Sequence, residues 1–350
     1  MKITGLGGRI PASQAELYIG NAGTAARFLS AFLTLGDGEY RLDGDPRMRQ
    51  RPIGDLIDAL SQLGAKIESS GGCPPVTVSG AGLPGGKTQV SGNISSQYIS
   101  ALLMAAPYAK SPVEIKVITE LVSRPYVEMT IRIMAEFNLR VDRKDEGTFT
   151  IQPAVYSRQE SYTIESDASA ASYFFAAPAV CGGTVQVENI SRTSLQGDIA
   201  FLEVLAQMGC TITETDSGIS VTGAAKLDGI EVDMRDIPDT AQTLAAIAPF
   251  AAAPTRIQGI ASARVKETDR VSATCRELAR LGVRVEEYHD GMTIYPCTQI
   301  QPAVIHTYND HRMAMAFSLI GLRSPGIRIE NPDCVSKTFP NYFEVLEKLR

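Results

Sequence analysis

ESDASAASYFFAAPAV, residues 165–180, decides the fold. It opens on three polar or charged positions, Glu165, Ser166 and Asp167, and then carries no charge to its end. A helix formed by such a run has apolar side chains on every face, so it belongs in an interior and not on a surface. Four other stretches repeat the design: GNAGTAARFLSAFLTL (20–35), GNISSQYISALLMAAPYA (92–109), RDIPDTAQTLAAIAPFA (235–251) and YNDHRMAMAFSLIGL (308–322). In each, a strand-like stretch ends in Gly, Asn, Ser or Asp and an Ala-rich apolar helix follows. The spacing therefore predicts five helices that are apolar nearly all round and buried centrally.

Four amphipathic helices lie between them: IGDLIDALSQLGA (53–65), YVEMTIRIMAEFN (126–138), DIAFLEVLAQMGC (198–210) and VSATCRELARLGV (271–283). Each runs into a strand, respectively KIE, LRVD, TITET and VRVEEY. The remainder reads as strand pairs closed by Gly or Asp-Gly turns such as Asp290-Gly291. The order is strand, buried helix, strand, amphipathic helix, two strands. It recurs every roughly 60–70 residues, which is an internal repeat. The chain of 350 residues is long enough for two cores. The polar stretch VYSRQES ends just before a joint near 162–166, which predicts domains 1–164 and 165–350.

A net charge of -6 and a pI near 5.3 argue against a nucleic-acid footprint or an anionic-membrane partner. The apolar runs are too short to span a bilayer and the start lacks a signal-peptide core, so a cytoplasmic location is expected. The six cysteines (73, 181, 210, 275, 297 and 334) form no C-x-x-C pair, and they read as reduced structural residues. The three histidines show no metal-ligand spacing, and neither a P-loop nor a Gly-x-Gly-x-x-Gly strand–helix turn is present. No metal and no nucleotide cofactor is expected.

The buried helices begin with small or hydrogen-bonding residues: Asn21, Gly23 and Thr24; Ser95, Ser96 and Gln97; Ser166, Asp167 and Ser169; Asp239 and Thr240; Asn309 and Asp310. N-capping alone accounts for such residues at any one place. Five of them in parallel would instead gather their N-termini into an anion-binding field. One amphipathic helix adds weight to that second reading. It is preceded by RVKETDR (264–270), which crowds Lys266, Glu267 and Arg270 around a helix start capped by Thr268 or Asp269. Cations do nothing for a helix N-terminus by themselves, but they suit a place where an anion binds.

The strings GNAGTAARFL, GDPRMRQRPIGDL, SGNISSQYISALLMAAP, LVSRPYVEMT, IESDASAASYF, DIPDTAQTLA, RVKETDR, YNDHRMAM and SKTFPNYFE occur in one order along nearly the whole chain. Together they resemble the 5-enolpyruvylshikimate-3-phosphate synthase family. The resemblance implies an α/β (α+β) fold, a two-domain enolpyruvyl transferase architecture of repeated βαβαββ units with buried parallel helices whose N-termini face an interdomain cleft. It also implies the reaction. The enolpyruvyl group of phosphoenolpyruvate passes to the 5-hydroxyl of shikimate 3-phosphate with release of phosphate, and no metal or organic cofactor takes part. The implied partners are those two small molecules.

Residue by residue, the resemblance assigns Arg51, Gln97 and Lys337 to the phosphoenolpyruvate phosphate and Arg270 and Arg312 to its carboxylate, where a planar guanidinium grips two oxygens. Gly23 lies beside phosphoenolpyruvate. Ser95, Ser96 and Ser123 match ligands of the shikimate 3-phosphate phosphate. Tyr126 matches a residue near its ring, and Gln97, Lys266 and Ser262 match hydroxyl contacts. Asp239 matches the carboxylate beside the attacking hydroxyl and is the candidate base. Glu267 matches the one near the methylene carbon and is the candidate acid. His311 is read as a packing residue.

Three departures accompany the resemblance. The family's Pro-Gly-Ser-Lys-Ser type segment, which supplies a Lys, a Ser and an Arg, has no counterpart here. This predicts an N-terminally truncated first domain, with sheet edges and apolar surface left for self-association or for a complementing N-terminal fragment. Ser262 stands where the family commonly has Asn. Phe28 stands where many members have Pro, which predicts altered glyphosate sensitivity. Two other readings fit parts of the sequence. A related transferase acting on UDP-N-acetylglucosamine would need a reactive loop cysteine, for which Cys73 in SSGGCPP is the candidate. An incomplete binding scaffold, active only with a separate N-terminal piece, would explain the missing cations.

Overall fold

The computed structural model describes residues 2–349, and the chain divides into two compact units, Met1–Tyr162 and Thr163–Arg350. The first unit is two copies of one motif. Copy one runs β1 (Gln14–Tyr18), α1 (Gly23–Leu33), β2 (Asp37–Asp43), α2 (Gly54–Gln62), β3 (Lys66–Ser70), β4 (Cys73–Ala81). Copy two runs β5 (Gly86–Val90), α3 (Ser96–Ala105), β6 (Val113–Val117), α4 (Arg124–Glu136), β7 (Val141–Arg143), β8 (Thr148–Ile151). Both are βαβαββ, and both sheets have the same order, β1-β2-β4-β3 and β5-β6-β8-β7. In each, the first pair is parallel and joined by a buried-helix crossover, and the other pairs are antiparallel.

The second unit starts on a helix. Its elements are α5 (Ala168–Cys181), β9 (Thr184–Glu188), α6 (Phe201–Gln207), β10 (Thr211–Thr215) and β11 (Gly218–Thr222), with a three-stranded sheet β10-β11-β9. A full copy follows: β12 (Glu231–Asp233), α7 (Ala241–Ile247), β13 (Thr255–Gln258), α8 (Arg270–Arg280), β14 (Val285–Tyr288) and β15 (Gly291–Ile294), with sheet order β12-β13-β15-β14. The unit ends with β16 (Val304–Ile305), α9 (His311–Arg323), β17 (Arg328–Ile329) and α10 (Tyr342–Glu347), in which β16 and β17 form a parallel pair.

Within each unit the buried helices start at the same end. In the first, Gln97 Nε2 at the start of α3 donates to Thr24 Oγ1 at the start of α1 (2.9 Å), and Ser100 Oγ meets Thr130 Oγ1 between α3 and α4 (2.7 Å). In the second, Ser172 Oγ of α5 meets Thr243 Oγ1 of α7 (3.1 Å), and Arg312 at the start of α9 reaches Tyr173 of α5 (3.4 Å). Small side chains, Ser, Thr and Ala, let these helices approach, and Ser100, Thr130, Ser172 and Thr243 pair across the interfaces.

The cores follow from the apolar runs. Helix α5 is buried from Ala171 to Val180, and α9 from Met313 to Ile320. Helix α1 departs from the expectation of burial all round. Phe28 and Leu29 are only half-buried and Phe32 is 40% exposed. The reason is packing: α1 lies chiefly against α3 and meets α2 only at a few positions. Cys73 lies at the first position of β4, past the Gly71–Gly72 hairpin turn, and so is part of a strand and not of a mobile loop. No helix is long and apolar enough to cross a membrane among the described residues.

Candidate active site

The segment RVKETDR separates into a structural half and a chemical half. Arg264 clamps Asp269 through Nη1 (3.1 and 2.9 Å) and donates to the His289 and Tyr288 carbonyls at the β14–β15 hairpin. Asp269 caps α8, its Oδ1 accepting from Ser272 N (3.0 Å). With both ends pinned, Lys266, Glu267 and Arg270 are turned together into the second unit.

Arg270, the first residue of α8, is 2% exposed and touches three carboxylates. Its Nε donates to Asp310 Oδ2 (2.8 Å), its Nη1 to Asp239 Oδ1 (3.1 Å) and its Nη2 to Glu267 Oε2 (2.8 Å). Arg312 Nη2 donates to Asp239 Oδ2 (2.8 Å), Lys266 Nζ lies 3.5 Å from Asp239 Oδ1, and Lys337 Nζ contacts Glu267 Oε1. Four cations thus face three carboxylates. One of those, Asp310, is also committed to the backbone as the N-cap of α9, accepting from Arg312 N (3.0 Å). A cluster of cations at the shared N-terminal end of α5, α7 and α9 has the chemistry that suits an anion. A cavity of about 730 Å³ near Cys181, Lys226 and Arg323 lies at the opposite, C-terminal end of α5 and α9, where the helix dipoles work against anions.

These contacts set protonation. Burial works to raise the Asp239 pKa, but Arg312, Lys266 and Arg270 outweigh it and hold the carboxyl well below its ordinary range. Burial works to lower the Arg270 pKa, and Asp310, Glu267 and Asp239 outweigh that, so the guanidinium stays charged. His311, 4% exposed, is pushed down to about 3 by burial and by Arg312, against the pull of Asp310. It is a neutral imidazole at pH 7, packed under the cluster. Asp239 sits on the short 3-10 turn Pro238–Thr240 before α7; its carboxylate serves the cations and caps no helix. Lys266 reaches Asp239 across the cluster. Ser262 is buried on the 3-10 turn Ala261–Val265, just ahead of Lys266.

The first unit gathers its own candidates around the starts of α1, α3 and α4. Gly23 opens α1. A Cβ placed there would lie 2.3 Å from Arg51 Nη2 and 2.4 Å from Arg27 Nη1, so only glycine leaves room for both guanidinium groups. Arg51 is buried, and its Nη1 donates to Asn21 O (2.9 Å) and Oδ1 (3.1 Å). Ser95 is the N-cap of α3, accepting from Gln97 N (3.3 Å). Ser96 is buried on its first turn. Ser123 precedes α4 in the left-handed region (φ 55°), and Tyr126 lies on the first turn of α4. Phe28 lies on α1 five residues beyond Gly23.

Arg27 escaped sequence reading, because one arginine inside an Ala-rich helix looks like a surface interruption. It is 4% exposed. Its Nη2 donates to the Pro52 carbonyl (2.9 Å), while Nε and Nη1 are buried without a hydrogen-bond partner. No carboxylate lies within ion-pair distance of it among the described residues. A charge inside an otherwise apolar helix was the available signal, since a cation is rarely buried unless something anionic meets it.

Comparison with known proteins bears on the whole chain. The family model of EPSP synthase (3-phosphoshikimate 1-carboxyvinyltransferase) matches residues 1–346. The chain is 52% identical over 345 residues to a 3-phosphoshikimate 1-carboxyvinyltransferase of Trichormus variabilis, covering 98% of this chain and 81% of that protein. It is 49% identical to the chloroplastic 3-phosphoshikimate 1-carboxyvinyltransferase of Brassica napus, covering 99% of this chain and 71% of that one. Among solved structures, EPSP synthase from Acinetobacter baumannii superposes with a TM-score of 0.74 at 27% identity, over 95% of this chain and 78% of that one. Identity at this level along nearly the full length, on a fold of the same architecture, shows that the chain belongs to the EPSP synthase family.

Proposed function

We infer that this chain is a transferase of the shikimate pathway of aromatic amino-acid biosynthesis. It moves the enolpyruvyl group of phosphoenolpyruvate to the 5-hydroxyl of shikimate 3-phosphate by addition and elimination, and releases phosphate. The observation that carries this reading is the 52% identity to a named 3-phosphoshikimate 1-carboxyvinyltransferase over 98% of the chain. The scaffold reading draws no support from such relatives. A coupled phosphate-release assay on the chain tests the activity. Phosphate release that requires both substrates is expected, and its absence at any substrate concentration would overturn the reading.

The division of labour within that reaction is our proposal. In the first unit, Arg51 and Gln97 hold the phosphoenolpyruvate phosphate beside Gly23, with Arg27 as a second guanidinium whose unpartnered N–H groups await an anion. Ser95, Ser96 and Ser123 take the phosphate of shikimate 3-phosphate, and Tyr126 packs by its ring. In the second unit, Arg270 and Arg312 grip the phosphoenolpyruvate carboxylate, Lys337 contacts its phosphate, and Lys266 and Ser262 contact hydroxyls. Guanidinium groups suit this because both substrates are small polyanions that must shed water on binding.

Proton transfer follows from the same contacts. With three cations around it, Asp239 is a weak base in the free protein. Arrival of a substrate carboxylate on Arg270 and Arg312 draws those cations away from Asp239. Its basicity then rises at the moment the 5-hydroxyl must lose a proton. Glu267, between Arg270 and Lys337, is the group placed to deliver a proton to the methylene carbon. Asp239→Asn is expected to lower kcat by about 100-fold or more with little change in either KM, the size expected for loss of a general base.

A further inference from the structure

One strained turn lies beside the second-unit cluster and takes no part in the roles above. Thr307 O accepts from Asp310 N (2.9 Å), closing a four-residue turn whose two central residues, Tyr308 and Asn309, are both left-handed (φ 55° and 54°). Positive φ at both centres is the type I′ pattern, which favours Asn-Gly. Asn tolerates that region, whereas an aromatic residue there is strained. Strain of this kind persists only where the surroundings over-determine it.

Both central residues are tied down. The Tyr308 hydroxyl donates to Glu277 Oε1 (2.7 Å). Glu277, on α8 two turns beyond Arg270, is fully buried, and its Oε2 accepts from the His306 backbone N (3.1 Å) and from Arg280 Nε (3.0 Å). Burial and then the Glu277 carboxylate raise the Tyr308 pKa, so the hydroxyl keeps the proton it donates. Asn309 Oδ1 accepts from Asn331 Nδ2 (3.2 Å), and Asn331 leads directly into the 3-10 turn Pro332–Lys337 that ends on Lys337.

The output of the turn is Asp310. It has no exposure, orients Arg270 through two bonds (2.8 and 3.3 Å) and starts the helix that carries Arg312. We propose that Glu277 and Tyr308 are positioning residues for phosphoenolpyruvate: they hold the left-handed turn that sets Asp310, and through it the directions of Arg270 and Arg312. The proposal rests on the reading that those two arginines grip the substrate carboxylate. A residue that merely stabilised the fold would leave the balance between the two substrates unchanged.

Steady-state kinetics with each substrate varied in turn test this. Tyr308→Phe, which removes only the hydroxyl, is expected to raise KM for phosphoenolpyruvate tenfold or more while KM for shikimate 3-phosphate stays within twofold. Tyr308→Gly adopts the left-handed conformation without strain but has no tether, and the same selective rise is expected. Glu277→Gln, which keeps the shape and an acceptor for Tyr308, should give a smaller rise of the same constant, and it serves if the other variants do not fold. Phosphoenolpyruvate KM within twofold of the parent in the folded variants, or an equal rise in both constants, overturns the proposal. Arg312→Lys separates the two levels. If it leaves the phosphoenolpyruvate KM unmoved, the carboxylate reading fails; if it raises that constant and Tyr308→Phe does not, the positioning role alone fails.

Discussion

Arg27 and His311 show how a buried titratable side chain registers what surrounds it. Arg27 lies in the first-unit core with two N–H groups unpartnered, which costs stability in the free protein. Replacing it with an apolar group of similar length, Arg27→Met, is expected to leave the ligand-free unfolding free energy unchanged or raise it by about 1 kcal/mol, since no buried ion pair is broken. The same variant should raise KM for phosphoenolpyruvate at least tenfold. Thermal unfolding and steady-state kinetics on one preparation check both signs, and a stability loss with unaltered kinetics would contradict the assignment. His311 makes a different prediction. Its pKa in the folded chain, about 3, lies below the ordinary 6.5. The unfolded chain therefore binds the extra proton between those values, and stability is full above pH 6.5 and declines as pH falls. The slope contribution is at most about 1.4 kcal/mol per pH unit. Asp239 loses its contribution only below its ordinary value of 3.8, so of the two only His311 acts above that pH. His311→Gln should flatten unfolding free energy against pH between 6.5 and 4, as read by urea denaturation. An unchanged slope would mean that His311 accepts a proton in the folded state.

At the level of elements, α3, α5, α8 and α9 start on side-chain caps of unequal weight, whereas α1 and α7 start without one. Asp167 caps α5 through Ala170 N alone (3.0 Å), at the surface. Asp310 caps α9 and also carries a buried bidentate pair with Arg270. Asp167→Ala should therefore cost about 1 kcal/mol, the ordinary worth of a cap. Asp310→Ala should cost more, about 3 kcal/mol, because it also removes one of the three carboxylates around the buried Arg270 guanidinium. Equal costs in a denaturant titration would show that the Arg270 pair adds nothing to stability. Sequence made the existence of these helices plain, and the caps Ser95, Asp167, Asp269 and Asp310 lay among its polar starts, since periodicity and Ser and Asp starts are local signals; the polar starts of α1 and α7 cap nothing. It could not tell α1 from its siblings. The half-buried Phe28 and exposed Phe32 depend on which neighbours are at hand, and composition does not record that.

For the molecule as a whole, each unit closes its own core. One cluster is drawn from residues between Ala26 and Ile151 and the other from residues between Ala168 and Leu346, and no residue is shared. Two cooperative units of this kind predict a calorimetric endotherm that resolves into two transitions, with hydrogen exchange assigning one to 2–162 and the other to 163–349. A single transition, with exchange released together throughout, would argue for one cooperative block. The sequence by itself determined the βαβαββ repeat, the family and the charged segment, because strand and helix periods and short strings are written in consecutive residues. Only the tertiary structure decided which charges work together. Asp239, Glu267, Arg270, Asp310 and Lys337 come from four separate segments, and their meeting requires three helices of one unit to begin at the same end. Arg27 and the Glu277–Tyr308 tether were illegible for the same reason. A buried cation or a strained turn has meaning only through what packing places, or fails to place, within hydrogen-bond distance of it.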